Sequence, residues 1–104
     1  MKETRTYYAT CNGENIYGRG AALSAQHLKE ILDKAEGLCA VTHEVVRVYS
    51  YKAPFKDLYR YYVWDAENNE VLVLPASLVG RLTSKRVRAW QLLRQDKAFK
   101  GSRE

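Results

Sequence analysis

Residues 58–74 have the sequence LYRYYVWDAENNEVLVL, which contains the strongest strand signals in this chain of 104 residues. Aromatic and apolar side chains fill both ends of the stretch, and six polar or small residues, 65–70, separate them. Aromatic and β-branched residues favour strands, whereas a short run rich in Asn and Asp favours a turn. The stretch therefore predicts an antiparallel hairpin with strands over 58–64 and 71–74.

The segment before this hairpin, residues 39–51, also has the pattern of a strand. Two alternating apolar patterns of opposite parity meet between Val45 and Val46, so the sequence predicts a β-bulge at this point. We expect the strand to end before Pro54, because proline has no backbone N–H to donate to a neighbouring strand.

The first third of the chain predicts a hairpin followed by a helix. Residues 5–11 and a short return strand, 14–17, flank an Asn-Gly pair that suits the positive φ angles of a tight turn. Residues 25–36 carry an apolar stripe at helical spacing, with Ser24 placed to cap the first turn. Gly37 predicts the end of this helix, because glycine favours the left-handed conformation that follows a helix.

The C-terminal part of the chain predicts a second helix. Thr83 or Ser84 is placed to cap it, and the apolar spacing continues to about Phe99. Its predicted inner stripe comprises Ala89, Trp90 and Leu93.

The order of these elements predicts an α+β fold, β-β-α-β-β-β-α, built as one domain over residues 1–99. We expect an antiparallel sheet of four to five strands with both helices packed on one face, since hairpins rather than crossovers join the strands. Residues 100–104 are expected to form a frayed basic tail.

The net charge of +5 is concentrated at the C-terminal end of the chain. Residues 81–104 hold eight basic side chains against two acids, a net charge of +6, whereas residues 1–80 have a net charge of −1. Such a field favours polyanions, so the predicted partner is a nucleic acid or an acidic or nucleoprotein surface. A solvated helix face together with a basic tail that serves solubility explains the same charges without a partner.

Several of these cations lie at the start of the predicted second helix, with no acid beside them in sequence. Each cation there is disfavoured by about 0.3–1 kcal/mol, because the helix dipole is positive at this end. A bound anion such as phosphate removes this cost, whereas screening by water reduces it without any ligand. The predicted anion- or nucleic-acid-binding set is Arg81, Lys85, Arg86, Arg88, Arg94 and Lys97.

Tyrosine is abundant, with eight residues in the chain, most of them in predicted strands. An exposed sheet face of alternating Tyr and Arg stacks unpaired bases and holds phosphates. The same residue types form protein–protein hot spots, and Tyr rings also pack in cores with only the hydroxyl exposed. If the strands around Pro54 pair in register, the predicted aromatic and basic face comprises Arg47, Tyr49, Tyr51, Tyr59 and Tyr61.

The sequence contains no strong pattern for a metal site or for catalysis, so we expect no cofactor, no metal, no catalytic residues and no small-molecule substrate. A site formed by Cys11, His27, Cys39 and His43 is disfavoured, because an extended segment would hold residues 39 and 43 about 13 Å apart. The two cysteines predict reduced thiols. Without an apolar run of 18 residues or a hydrophobic leader, we expect a cytoplasmic protein with no membrane partner.

Two stretches resemble known families. The run from Tyr59-Arg60-Tyr61-Tyr62-Val63 through Val71 to Gly80-Arg81 resembles the strand hairpin of RelE-type toxins, which implies a small metal-independent ribonuclease. Those toxins place two helices before the sheet, whereas this sequence predicts one. The order helix, three strands, helix over residues 24–99 is similar to a double-stranded RNA-binding domain, which implies phosphate contacts from the basic second helix.

The sequence favours a small, basic, non-enzymatic module that acts on a nucleic acid or a nucleoprotein complex through the C-terminal basic cluster and the Tyr/Arg sheet face. The alternative is a protein–protein inhibitor or adaptor, such as a phage- or plasmid-borne antagonist of a bacterial defence nucleoprotein (anti-CRISPR-like). A metal-independent ribonuclease toxin is the third hypothesis.

Overall fold

The computed structural model describes residues 5–75 and 83–94, and these residues form a six-stranded antiparallel sheet between two helices. The strands are β1 (Thr6–Cys11), β2 (Glu14–Asn15), β3 (Leu23–Ser24), β4 (Val46–Lys52), β5 (Phe55–Asp65) and β6 (Glu70–Pro75). The helices are α1 (Leu28–Thr42), which follows one 3-10 turn (Ala25–His27), and α2 (Ser84–Arg94). The α+β class and the order of the long elements are confirmed, and the two-residue strand β3 is an addition.

The body of the sheet has the order β1, β4, β5, β6, and both short strands pair along the other edge of β1. The predicted hairpin is confirmed as β5 and β6, with Asp65 opposite Glu70. Strand β1 pairs with β4 from Thr6 opposite Tyr51 to Cys11 opposite Val46, although α1 separates the two strands in sequence. This pairing places the N-terminal strand beside the hairpin formed by β4 and β5.

The two helices pack on opposite faces of the sheet, so the prediction of a common face is wrong. We call the side that α1 covers the back face and the side that α2 covers the front face. The back-face core comprises Tyr7, Ala9, Ile31, Ala35, Cys39, Val46, Val48 and Tyr62. The front-face core comprises Val45, Val63, Leu72, Leu74, Ala89 and Leu93. Strands β5 and β6 carry apolar side chains on both faces of the sheet. Both faces must therefore be covered by other elements to keep these side chains from water.

Helix α1 is longer than predicted, because it continues through Gly37 to Thr42. The residue in the left-handed conformation after it is His43, with a φ of 62°. Cys39 lies in this last part of the helix and is fully buried against the sheet. Its burial, together with that of Ala35 one turn earlier, offsets the cost of about 0.5–1 kcal/mol for a glycine within a helix. The predicted strand over residues 39–51 therefore begins only at Val46.

A β-bulge is present, but it lies in β5 and not between Val45 and Val46. The register of β4 with β5 shifts after Val48, which leaves Tyr59 as the extra residue on β5. The two valines need no bulge because each points to a covered face, Val46 into the α1 core and Val45 into the α2 core. The opposite parities in the sequence therefore reflect two covered faces and no change in the path of the strand.

Helix α2 begins at Ser84, as predicted, and Thr83 caps it by accepting a hydrogen bond from the backbone N–H of Arg86 at 3.2 Å. Ala89 and Leu93 are buried as predicted, but Trp90 is 40% exposed and does not belong to the inner stripe. The predicted continuation to Phe99, the bridge over 76–82 and the tail over 100–104 lie outside the described residues.

We expect Gly37→Ala to raise the free energy of unfolding by about 0.5–1 kcal/mol, because alanine has the higher helix propensity. A Cβ at this position meets no atom within 4 Å, so the added methyl group causes no clash. Urea unfolding measures the effect. Ala40→Gly, an exposed position later in α1, is the matched reverse change and should lower the same quantity by a similar amount. Destabilisation by Gly37→Ala would contradict the continuous helix, because alanine is disfavoured in the left-handed conformation.

Candidate nucleic-acid interface

A cleft of about 1080 Å³ opens on the front face over β1 and β4, beside the strands that α2 covers. Side chains of the sheet form its floor, and the loop between β1 and β3 forms its wall. The floor residues are Thr6, Tyr8, Thr10, Tyr51 and Lys56. The wall consists of Gly13, Glu14, Asn15, Gly18, Arg19, Gly20, Ala21 and Ala22. The charged side chains of this lining are Arg19, Lys56 and Glu14, so its net charge is positive.

Two tyrosines and a lysine form a stacked platform beside this cleft, and two of them, Tyr8 and Lys56, line it. Tyr8 and Tyr49 are direct partners on β1 and β4, and their rings stack with centroids 5.2 Å apart and planes 24° apart. Lys56 Nζ lies 5.2 Å from the centroid of the Tyr49 ring, within the range of a cation–π interaction. We call these three residues the Tyr8/Tyr49/Lys56 platform. Because the contacts hold both rings in place, the platform is formed before any ligand binds.

The wall of the cleft is held in shape by Asn15. Its side-chain Nδ2 donates a hydrogen bond to the carbonyl of Ala21 at 2.8 Å, and its Oδ1 accepts one from the backbone N–H of Tyr17 at 2.9 Å. Gly18 has a φ of 107°, a conformation that residues with a Cβ rarely adopt. The loop therefore has a defined path, and it places Arg19 at the cleft opposite the aromatic floor.

Two of the five residues predicted for the aromatic and basic face belong to this site. Tyr49 is part of the platform, and Tyr51 lines the cleft and is 38% exposed. Arg47 lies on the same face, opposite Thr10, but it is buried with only 7% of its surface exposed. Arg47 is therefore a buried residue of the front face, and the prediction that it forms part of an exposed surface is wrong.

The other two residues of that prediction lie elsewhere. Tyr61 is on the front face opposite Arg47, but it packs against the α2 core, and burial raises its pKa although Arg47 lowers it. Tyr59 contacts the back-face residue Tyr7 edge to face at a centroid distance of 5.6 Å, and Arg60 lies over its ring. The bulge changes the alternation at Tyr59, and for this reason the residue does not share the face of Tyr49.

The cations predicted at the start of α2 are accompanied by acids in the turn between β5 and β6 and at the two strand positions that flank this turn. Lys85 Nζ lies 3.4 Å from a carboxylate oxygen of Glu70. Arg88 donates to Asp65 at 3.2 Å and to Glu67 at 3.3 Å. The sequence shows no acid beside these cations, and we therefore predicted that they are available to an anion. The structure corrects this prediction, because acids that are distant in sequence lie beside Lys85 and Arg88. This pairing lowers the net charge that the helix start presents to an anion.

Two further members of the predicted basic set, Arg86 and Arg94, are not among the residues that line the cleft. Arg86 has an interaction within the protein, and Arg94 is exposed at the last described residue of α2. Arg81 and Lys97 lie outside the described residues.

Asp65 is the centre of the contacts that join this turn to α2. Its carboxylate is buried, with 1% of the side chain exposed, and accepts hydrogen bonds from the backbone N–H groups of Glu67 and Asn68 at 3.1 and 3.4 Å. The side-chain amide of Asn68 donates to Oδ2 at 2.8 Å. Hydrogen bonds from Arg88 and Asn68 hold the pKa of Asp65 below its usual value although burial opposes this. Arg88 is therefore a structural residue.

The cysteines and histidines do not form a metal site in the part of the chain that the structure describes. No group of three or more His, Cys, Asp or Glu side chains could hold an ion there. Cys39 is in a helix and not in the strand we predicted, and burial raises the pKa of its thiol to about 12. His43 stacks on Trp64 with ring centroids 4.1 Å apart and planes 2° apart.

Sequence reasoning missed Tyr8, Arg19 and Lys56 as residues of the site. Tyr8 carries a usable signal, because it is an aromatic residue between Thr6 and Thr10 on the parity that a solvent-facing side of a strand would have. That signal becomes specific only when β4 is known to be the neighbour of β1.

The fold and the cleft define an α+β protein with helices on both sides of the sheet and an aromatic, basic cleft on part of one face. Comparison with protein families, with curated proteins and with solved structures found no match to this chain. Neither of the two described helices has the length and apolar character needed to cross a membrane.

Asp65→Asn should lower the free energy of unfolding at pH 7. It should also reduce the fall of this free energy as the pH is lowered. The pKa of Asp65 is lower in the folded protein than its ordinary value of 3.8, so its contribution is present above pH 3.8 and is lost as the pH falls through the folded-state pKa. Urea unfolding at a series of pH values from 7 to about 2.5 measures this loss.

Glu67→Gln is the matched control, since Glu67 also accepts a hydrogen bond from Arg88 but is 77% exposed. We expect this variant to retain the pH profile of the wild type. Parallel profiles for the wild type and Asp65→Asn would contradict the role of Asp65.

Proposed function

We propose that this protein is a non-enzymatic binding module for single-stranded nucleic acid, either bare or within a nucleoprotein complex, and that the strand lies in the front-face cleft. The observation that carries the proposal is the Tyr8/Tyr49/Lys56 platform, a stacked aromatic pair with a cation 5.2 Å from one ring, two members of which, Tyr8 and Lys56, line a cleft of about 1080 Å³. We propose the cytoplasm as its compartment, where nucleic acids occur and where thiols such as Cys11 and Cys39 stay reduced.

The floor of the cleft supports a strand with unpaired bases. Stacking of a base on an aromatic ring contributes about 1–3 kcal/mol and tolerates any base, because every base has a π-face. Tyr51, 38% exposed, adds a second ring to the floor. The bases of a duplex are stacked on one another and present only their edges in the grooves, so an aromatic floor favours single strands over duplex.

The cations around the cleft support contacts with the backbone of such a strand. Lys56 lines the floor and Arg19 lines the wall, which also carries Glu14, so the lining has two cations against one acid. Neutralising phosphates releases counterions and makes the affinity dependent on salt. Thr6 and Thr10 add hydroxyl groups that donate or accept hydrogen bonds at the floor.

A protein partner is the second candidate, and the exposed side of α2 favours it. Val87 and Trp90 are three residues apart on this helix and are 39% and 40% exposed. Residues three apart are neighbours on a helix surface, and Trp is enriched among the residues that dominate protein–protein binding. In this alternative the protein is an inhibitor or adaptor that binds a nucleoprotein through its protein component.

Tyr8→Ala, which removes the platform ring that lines the cleft, should weaken binding of a fluorescein-labelled single-stranded oligonucleotide about 5- to 150-fold, the effect of losing about 1–3 kcal/mol of stacking. Lys56→Glu should weaken binding as well and should reduce the dependence of log affinity on log salt by about 0.7 for each phosphate that the side chain no longer neutralises. Fluorescence anisotropy at several salt concentrations measures both, and circular dichroism verifies that each variant is folded.

Two charge-matched controls distinguish the cleft from a general effect of net charge. Lys29→Glu changes a lysine of α1 that is 91% exposed, and Lys85→Glu changes the lysine of α2 that pairs with Glu70. Both should leave the affinity within about twofold, because charges far from the ligand are screened. The cleft is not the site if Lys85→Glu weakens binding as much as Lys56→Glu. Failure of the wild type to bind any bare oligonucleotide would leave the protein-partner candidate.

A further inference from the structure

The connection between β4 and β5 projects beyond the neighbouring strands and exposes an aromatic ring. Pairing of β4 with β1 ends at Tyr51, and pairing of β5 with β6 reaches only to Arg60. Among the described residues, 52–55 therefore pair only within their own hairpin, through Lys52 and Phe55. The ring of Phe55 is 68% exposed at this tip. Phe55 is directly opposite Lys52 and so has the opposite parity to Lys56, which places its ring on the back-face side of the tip, one residue from the cleft-lining Lys56.

Two lysines lie beside Phe55 and belong to opposite faces of the sheet. Lys56 is opposite Tyr51, and both line the cleft on the front face. Lys52 has the other parity and is therefore on the back face, where Arg5 donates a hydrogen bond to Ser50 at 3.3 Å. Each face of the tip therefore carries a lysine beside the exposed ring, and on the back face the acid Asp57, opposite Ser50, lies next to Lys52 and Phe55 while Arg5 adds a second cation.

We propose that Phe55 is a wedge that stacks on the last base pair at a junction between duplex and single-stranded nucleic acid. One strand continues past Lys56 into the front-face cleft, and the other passes Lys52 on the back face. This inference rests on the proposed function, because the cleft must hold the single strand for the tip to meet the junction.

The chemistry of a junction matches the tip in two respects. The last base pair of a duplex has one face without a stacking partner, and Phe is among the apolar side chains that proteins insert against base steps. The two strands diverge at this point, and each carries phosphates that a lysine on its own side of the hairpin would neutralise. A single exposed cation would suit one strand only, whereas the alternation along this hairpin supplies one cation to each.

The test compares three probes that share one labelled strand: the single strand, the same sequence as a blunt duplex, and a duplex with a single-stranded tail. We expect the wild type to bind the tailed duplex about tenfold more tightly than the single strand, an effect within the range of stacking on one base. We expect Phe55→Ala to abolish this preference and to leave the affinity for the single strand within about twofold. Because Phe55 is exposed, the variant keeps the core intact, and thermal unfolding verifies this.

Val41→Ala is the matched control, because it also removes an apolar side chain from the surface, at a position on α1 that is 80% exposed. This variant should keep the full preference for the tailed duplex. The wedge is overturned if the wild type binds the tailed duplex no better than the single strand, or if Phe55→Ala retains the preference. It is also overturned if Phe55→Ala weakens binding of both probes equally, although the proposed function then stands. Binding of none of the three probes would refute the proposed function itself.

Discussion

The buried carboxylate of Asp65 is the group on which the arrangement of this fold depends. It accepts hydrogen bonds from two backbone N–H groups of the turn between β5 and β6 and from the side chain of Arg88 on α2. A buried charge of this kind is costly unless it is paired and hydrogen-bonded, so turn and helix must adopt one relative position for Asp65 to be satisfied. The same carboxylate therefore shapes the hairpin and holds α2 on the front face of the sheet.

The position of α2 determines which part of the sheet is available for binding. The helix packs mainly on β5 and β6, and the cleft lies over the other strands of the same face, β1 and β4. The cations that stand out in the sequence, Lys85 and Arg88, lie beside acids of the turn, while Lys56 lies at the cleft. A cluster of cations in a sequence can therefore pair with acids of the same protein instead of binding a ligand.

Local signals in the sequence predicted the ends of those elements that are set by residues close in sequence. The polar stretch after Trp64 marks the turn of the β5–β6 hairpin, and Thr83 marks the start of α2 through its hydroxyl cap. The limit at Gly37 was wrong, because burial of Cys39 against the sheet favours a longer helix than the glycine alone indicates. Of the predicted aromatic face, Tyr51 lines the cleft and Tyr49 stacks on the cleft residue Tyr8, because both follow the simple alternation of β4.

The sequence by itself determined the class of the fold, the order of its long elements and the presence of aromatic and basic residues on the same strands. Only the tertiary structure decided which of them meet. The alternation of side chains along a strand indicates which of its residues share a face. It does not indicate which strand lies alongside or which face a helix covers. Pairing of β1 with β4 across the intervening α1 brings Tyr8 to Tyr49, and one extra residue in β5 moves Tyr59 to the opposite side.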